Sequence, residues 1–193
     1  MNNQCILVHY HEIGLKGDNR SWFEDKLLHN IRIQLNDLPY QKIKIAAARI
    51  FIIGIDPEYY DKYNDCLKNV MGIKHAFIMS IIDLNNDAIG EAVQIQIQDL
   101  AFDSFRISTK RQDKNFDFTS QQVNQIIGSK VVQSLSKKVN LGNPDLNVII
   151  EIVNGKAYVG YRKIIGYGGL PVGTGEKALS LISSGIDSPV ASF

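Results

Sequence analysis

IKIAAARIFIIGIDP, residues 43–57, decides the fold. Ile43–Ala47 and Ile50–Ile55 are two apolar runs on either side of a short break, the pattern of paired strands around a tight turn. Asp56-Pro57 then marks a helix start: the aspartate side chain caps, and proline lacks an N–H that the first helical position has no use for. Working outward, Cys5–Tyr10 is a short apolar run predicted as a buried strand. Asp18 or Asn19 is placed to cap a helix whose apolar positions Phe23, Leu27, Leu28, Ile31 and Leu35 recur at helical spacing, with Pro39 beyond its end. A second helix follows through Tyr60, Tyr63 and Leu67 to about Met71, and Ala76–Ile82 reads as a final strand. The order βαββαβ over residues 1–82 predicts a ferredoxin-like unit of the α+β class.

A second α/β unit is expected over residues 83–165. Val93–Ile97 alternates strictly and would pass locally for a strand. Phe102–Thr109 supplies a better strand directly afterwards, so Asp87–Leu100 is assigned to helix. Thr119-x-x-Gln122 has the form of a capping box, opening a helix with Val123, Ile126, Ile127, Val131 and Leu135 on one face. Asn143-Pro144-Asp145 is turn chemistry. Val148–Val153 and Ala157–Ile165 flank Asn154-Gly155, a strong short-range hairpin signal.

Bulk composition, 45% hydrophobic and 21% charged, is that of an ordinary globular protein. No apolar run reaches the roughly 18 residues of a membrane span, and no secretory pattern opens the chain, so a cytoplasmic protein without a membrane partner is expected. The two cysteines, Cys5 and Cys66, fit a reducing compartment and not a disulfide framework. Four scattered histidines give no zinc-like spacing, and no metal site is expected. The formal net charge is only +1, but its distribution is uneven. Asp83 to Asp103 holds Asp83, Asp87, Glu91, Asp99 and Asp103 with no Lys or Arg. Ser104 to Lys138 holds Arg106, Lys110, Arg111, Lys114, Lys130, Lys137 and Lys138 against Asp113 and Asp117. Such segregation makes a phosphate-binding face or a merely solvated one.

Residues 166–177 are glycine-rich and read as a linker. After them, residues 178–183 have a buried-strand pattern that leads into Ser183-Ser184-Gly185-Ile186-Asp187-Ser188-Pro189. A strand, a small-residue loop and a helix start expose backbone N–H groups suited to phosphate. The spacing is not that of a Walker A loop. This stretch resembles the Ser-Gly-Gly-x-Asp-Ser loop of PP-loop ATP pyrophosphatases, with Ser184 standing where that family has glycine. Gly166-x-Gly168-Gly169-Leu170-Pro171-Val172-Gly173-Thr174 resembles the linker of ThiI-type tRNA sulfurtransferases (4-thiouridine synthetases). Phe105-Arg106-Ile107-Ser108-Thr109-Lys110-Arg111-x-x-Lys114-x-Phe116 is similar to the basic signature of a THUMP domain. Tyr10-x-Glu12-Ile13-x-Leu15-Lys16-Gly17-x-Asn19-Arg20-x-x-Phe23 resembles the start of the ferredoxin-like domain that precedes it, with His9 and His11 where relatives usually have Arg and Gly.

The resemblance implies a ferredoxin-like domain (1–82), a THUMP domain (83–165), a linker (166–177) and only the first strand and loop of a PP-loop domain (178–193). It implies a tRNA-binding front part that recognises the acceptor stem and 3′ end. In the full-length enzyme, ATP with Mg2+ adenylates O4 of the eighth-position uridine, and sulfur from a cysteine desulfurase displaces AMP. Relatives also supply sulfur for the thiamin thiazole. The chain by itself is expected to be inactive, to need no cofactor, and to belong to a protein that forms homodimers. Lys110, Arg111, Lys114 and Arg106 are the first candidates for RNA contact, followed by Lys16, Arg20, Arg162 and Lys163. Leu181, Ile182, Ser183, Ser184, Gly185, Asp187 and Ser188 are the candidates of an incomplete nucleotide loop. Two alternatives stand beside this reading: the RNA-binding part of another THUMP enzyme (a tRNA methyltransferase or pseudouridine synthase), and a ferredoxin-like dimerisation or regulatory module without RNA affinity.

Overall fold

The computed structural model describes residues 3–113, 116–177 and 179–192. The first unit is built from β1 (Gln4–His9), α1 (Arg20–Gln34), β2 (Lys42–Ala46), β3 (Arg49–Ile53), α2 (Tyr60–Lys68) and β4 (His75–Asp83), the βαββαβ order expected. Its strands lie in the order β2-β3-β1-β4, all antiparallel. The β2–β3 turn is made by Ala47 and Ala48, both in the left-handed region at φ 49° and 58°. Asp56 caps as expected, accepting from the Glu58 N–H, although Pro57–Tyr59 first forms a 3-10 turn. The cap expected at Asp18 or Asn19 is absent: Gly17–Asn19 winds into a 3-10 turn that feeds α1 through the backbone, and no side chain caps it.

The second unit continues with α3 (Asn86–Ile97), β5 (Ser104–Arg111), α4 (Ser120–Leu135), β6 (Lys138–Val139), β7 (Leu146–Val153) and β8 (Lys156–Ile165). The alternating stretch is helix, capped by the Asn85 side chain accepting from the N–H groups of Asp87 and Ala88. Its even positions meet polar partners: Gln94 bonds Ser134 and Gln96 bonds Ser80, while Val93 and Ile97 enter the core. Helical burial therefore overrides the local period of two. Thr119 and Gln122 form the expected reciprocal box. α4 carries the crossover that the parallel β5–β7 pair requires. Asp145 ties the turn before β7 to the start of β5 by accepting from the N–H groups of Asp103 and Ser104 and from the Ser104 hydroxyl.

The two units share one sheet. β8 pairs antiparallel with β4, giving the order β2-β3-β1-β4-β8-β7-β5-β6. A bulge lies in this seam: Ile78 faces Arg162, while Ser80 faces Val159. The extra residue reverses the facing of β8, so Ala157 and Val159 bury against α3 and α4, and Ile164 buries against α1 and α2. Gly160 sits in the bulge, where a Cβ would come 2.1 Å from the Ile78 carbonyl oxygen. No side chain fits there.

All four large helices cover one face. The other face closes on itself. Phe51 of β3 touches Tyr158 of β8, ring centroids 5.2 Å apart, although three strand steps separate them, roughly 14 Å in a flat sheet. The sheet is therefore rolled, and its inner face buries Cys5, Leu7, Phe51, Phe77, Met79, Ile149, Val153 and Tyr158.

Two features depart from the sequence reading. The glycine-rich stretch begins as a fixed strap: the Gly72 N–H donates to the Gly168 carbonyl, the Gly168 N–H to that of Ile73, and Asn30 to that of Val172. Beyond it, the strand expected at 178–183 does not form over its described residues 179–183. Leu179, Leu181 and Ile182 are exposed, because a strand needs neighbouring strands to accept its backbone groups and apolar faces, and among the described residues no strand pairs with it. The short helix α5 (Asp187–Ser192) follows.

Candidate nucleic-acid interface

At one corner of the rolled face, charged side chains from six strands converge. Glu151 of β7 is fully buried. Its Oε2 accepts from Arg49 Nε of β3 at 2.8 Å, and its Oε1 lies 2.8 Å from His9 Nε2 of β1 and 4.0 Å from Lys110 Nζ of β5. Among the described residues, His9 Nε2 and Glu151 Oε1 have no other hydrogen-bond partner. A contact from β3 to β7 spans four strand steps, about 19 Å when flat, so this pair pins the roll. Burial alone would raise the Glu151 carboxyl. The His9 hydrogen bond and the charges of His9, Arg49 and Lys110 outweigh it, and the pKa sits below its ordinary value. Gln112 adds a second tie, donating to the Ala47 carbonyl across the same gap.

His75 of β4 stacks on His9, centroids 4.6 Å apart, with the Phe77 ring against its edge. Lys163 of β8 stands opposite Phe77, diagonal to His75 on the same face. Burial first, then the charges of His9, Lys110 and Lys163, push the His75 imidazole down to about 4, with Glu151 opposing. At neutral pH His75 is uncharged. The corner thus sets one buried carboxylate against Arg49, Lys110 and Lys163, a local positive surplus whose two lysines are exposed.

The candidate residues named from sequence do not form one patch. Lys110 and Lys163 meet at this corner. Arg106 shares the Lys110 face but is braced, donating from Nη1 to the Leu141 carbonyl at 2.9 Å and from Nε toward Asn147. Arg111 points to the helix side and straps the following loop through the carbonyls of Phe116 and Phe118. Lys114 lies outside the described residues. Arg20 is held by Glu24 and the Tyr10 hydroxyl, each at 2.8 Å, while Tyr10 itself donates to Glu24. Lys16 lies over the Phe23 ring. Arg162 lies over Tyr60 and Tyr161 on the helix side of the bulge. Lys130 pairs with Asp87, and Lys137 donates to the Phe102 carbonyl, so the basic stretch is divided between faces.

Next to β5 a cleft of about 520 Å³ runs between α4 and β6. Phe105, Ile107, Val132, Val139 and Leu141 form its apolar floor. Gln121, Gln125, Ser129 and Gln133, spaced one helical turn apart, make a polar ridge along it. An apolar floor beside amide groups accommodates an unstacked base, stacking below and hydrogen bonding at its edge.

Sequence reasoning missed Arg49, His9, His75 and Glu151. A signal was present: Glu151 is the lone charge inside Val148–Val153, and a carboxylate in a strand buried on both faces demands a partner. Its partner, 102 positions earlier, depends on the roll. Both cysteine thiols are shifted away from the reactive thiolate form. Burial pushes the Cys5 thiol up to about 12 against the opposing charge of Lys44, and burial followed by Asp65 and Asp37 raises Cys66. In the 181–188 segment, the Ser183 N–H donates to the Ser188 hydroxyl and the Gly185 N–H to the Ser183 hydroxyl, while Leu181, Ile182, Ser184 and Asp187 are exposed.

Residues 5–76 match the ThiI ferredoxin-like domain and residues 85–162 the THUMP domain. Over 97% of its length the chain is 36% identical to a protein of Alkaliphilus oremlandii named "Probable tRNA sulfurtransferase". It is 38% identical, again over 97%, to one of the same name from Moorella thermoacetica. It spans 49% and 48% of these two proteins, about half their length. It also superposes on the crystal structure of a 4-thiouridine synthetase–RNA complex with bound ATP, at a TM-score of 0.81 and 28% identity, covering 98% of this chain and 48% of that one.

Proposed function

From a chain that carries the ThiI ferredoxin-like domain joined to a THUMP domain, we propose the tRNA-recognition part of a tRNA uracil 4-sulfurtransferase. The likeness of nearly the whole chain to the RNA-bound 4-thiouridine synthetase carries this reading. The domains run over 1–82 and 83–165, with 166–177 linking them to a PP-loop domain that begins near residue 178. The two units, locked into one sheet, present a single rigid surface to the acceptor stem. Lys110 and Lys163 contact backbone phosphate, and their loss weakens binding without changing sequence preference. The cleft between α4 and β6 takes an unpaired base of the 3′ end. Arg106, on the Lys110 face, extends the track from β5, whereas Arg111 and Arg162 on the helix side stand apart from it; Lys16 and Arg20 are secondary candidates.

The chemistry belongs to the longer protein. There, ATP with Mg2+ activates the uridine O4, and a cysteine desulfurase supplies sulfur. Residues 181–188 form part of the nucleotide loop once neighbouring strands complete it. A homodimer and a cytoplasmic location fit the same reading. A non-RNA regulatory module and another THUMP enzyme are disfavoured by relatives at 36% and 38% identity that bear the sulfurtransferase name.

The test is binding of an acceptor-stem minihelix, with and without its single-stranded 3′ tail, against a blunt RNA duplex of equal length. Tighter binding of the tailed minihelix is expected, and Gln125→Ala/Gln133→Ala reduces the difference. Equal affinity for all three RNAs overturns the 3′-end assignment.

A further inference from the structure

The pair of stacked histidines has no role in the reading above, yet it occupies the centre of the basic corner. His75 has one exposed lysine beside it on β8 and feels a second across the corner. Lys163 is its diagonal neighbour on β8, and Lys110 shares the Glu151 Oε1 with His9, on which His75 stacks. The charged groups facing this spot are His9 from β1, Arg49 from β3, Lys110 from β5, Glu151 from β7 and Lys163 from β8. The Phe77 ring closes one side. Glu151 is the one carboxylate among these groups and is shared by Arg49, His9 and, at 4.0 Å, Lys110, so positive charge is in excess here.

We infer that His75, in the corner it shares with Lys110 and Lys163, is a contact for one backbone phosphate of the bound RNA and takes up a proton when that phosphate arrives. This rests on the RNA-binding reading and deepens it. An oxyanion held by the two lysines offsets the charges that keep His75 neutral, and it accepts a hydrogen bond from the imidazolium. The proton comes from solvent. Binding and protonation are then linked: wherever the complex holds one more proton than the free protein, affinity rises as pH falls, by at most about tenfold per pH unit. His9 keeps its place on Glu151 throughout and holds the His75 ring by stacking on it.

The experiment measures the affinity of this chain for the acceptor-stem minihelix between about pH 8 and 5, with the His75 imidazole followed by NMR during titration. Wild type binds more tightly as pH falls, and its His75 signal moves to the protonated position on adding minihelix near pH 6. His75→Gln abolishes the pH dependence, so its affinity falls further below wild type as pH is lowered. Lys163→Met, a change at an exposed side chain, weakens binding at every pH. Minihelix binding with unchanged pH dependence in His75→Gln overturns the inference and leaves the tRNA reading standing. A His75 shift with inorganic phosphate but none with minihelix also overturns it. Folded protein that binds no minihelix at any pH sinks both.

Discussion

A carboxylate with no exposed surface stays charged only while its partners stay in place. Removing Glu151 leaves Arg49 buried without a counter-charge, which costs about 3–5 kcal/mol for a broken buried pair. Glu151→Ala should therefore lower the unfolding free energy from denaturant titration by that amount, and the apolar double variant Arg49→Met/Glu151→Leu should recover most of it; a negligible loss in the single variant would contradict the clamp. The His75 imidazole carries a second prediction. Its folded-state pKa lies below its ordinary value of 6.5, at about 4, so the unfolded chain binds the proton more readily. Stability from this source is complete above pH 6.5 and is lost as pH falls toward 4. Glu151, also depressed, loses its share in the same direction but only below its ordinary 4.5. His75→Gln should flatten the upper part of that fall in a pH series of thermal unfolding, and an unchanged profile would refute the assignment.

The elements show where sequence and structure agree and where they part. Most strands and helices of both units were legible because each apolar run is bounded by its own punctuation: Asp56-Pro57 starts a helix in the first, and Asn154-Gly155 turns a hairpin in the second. β6 was not legible, since two residues, Lys138 and Val139, carry no pattern. The shared sheet was hidden too, because pairing of β4 with β8 joins runs about eighty positions apart and depends on the bulge at Gly160. Of the interface, Lys110 and Lys163 were legible as exposed charges. The histidines and Arg49 were not, because only the roll brings them together. Gly160→Ala pushes a methyl into the Ile78 carbonyl and should destabilise by about 2 kcal/mol or more, measured by urea unfolding. Ala48→Gly relieves a left-handed alanine at φ 58° and should stabilise by about 0.5–1 kcal/mol in the same assay. Opposite signs for two glycine–alanine exchanges test the backbone account without touching a charged group.

At the scale of the whole molecule, the roll turns two small α/β units into one body. It fixes the spacing between the basic corner and the cleft along α4, and the strap at Gly166–Thr174 fixes where the chain leaves that body. On the proposed function such a surface meets RNA through phosphates first, and its affinity then falls with salt. The most direct test is fluorescence anisotropy of this chain with unmodified tRNA across a salt series, in wild type and in Lys110→Ala/Lys163→Ala. The account predicts a linear fall of log K with log salt, weaker binding in the double variant, and a slope smaller by about two. Folded protein that binds no tRNA, or a double variant with wild-type affinity and slope, would contradict it.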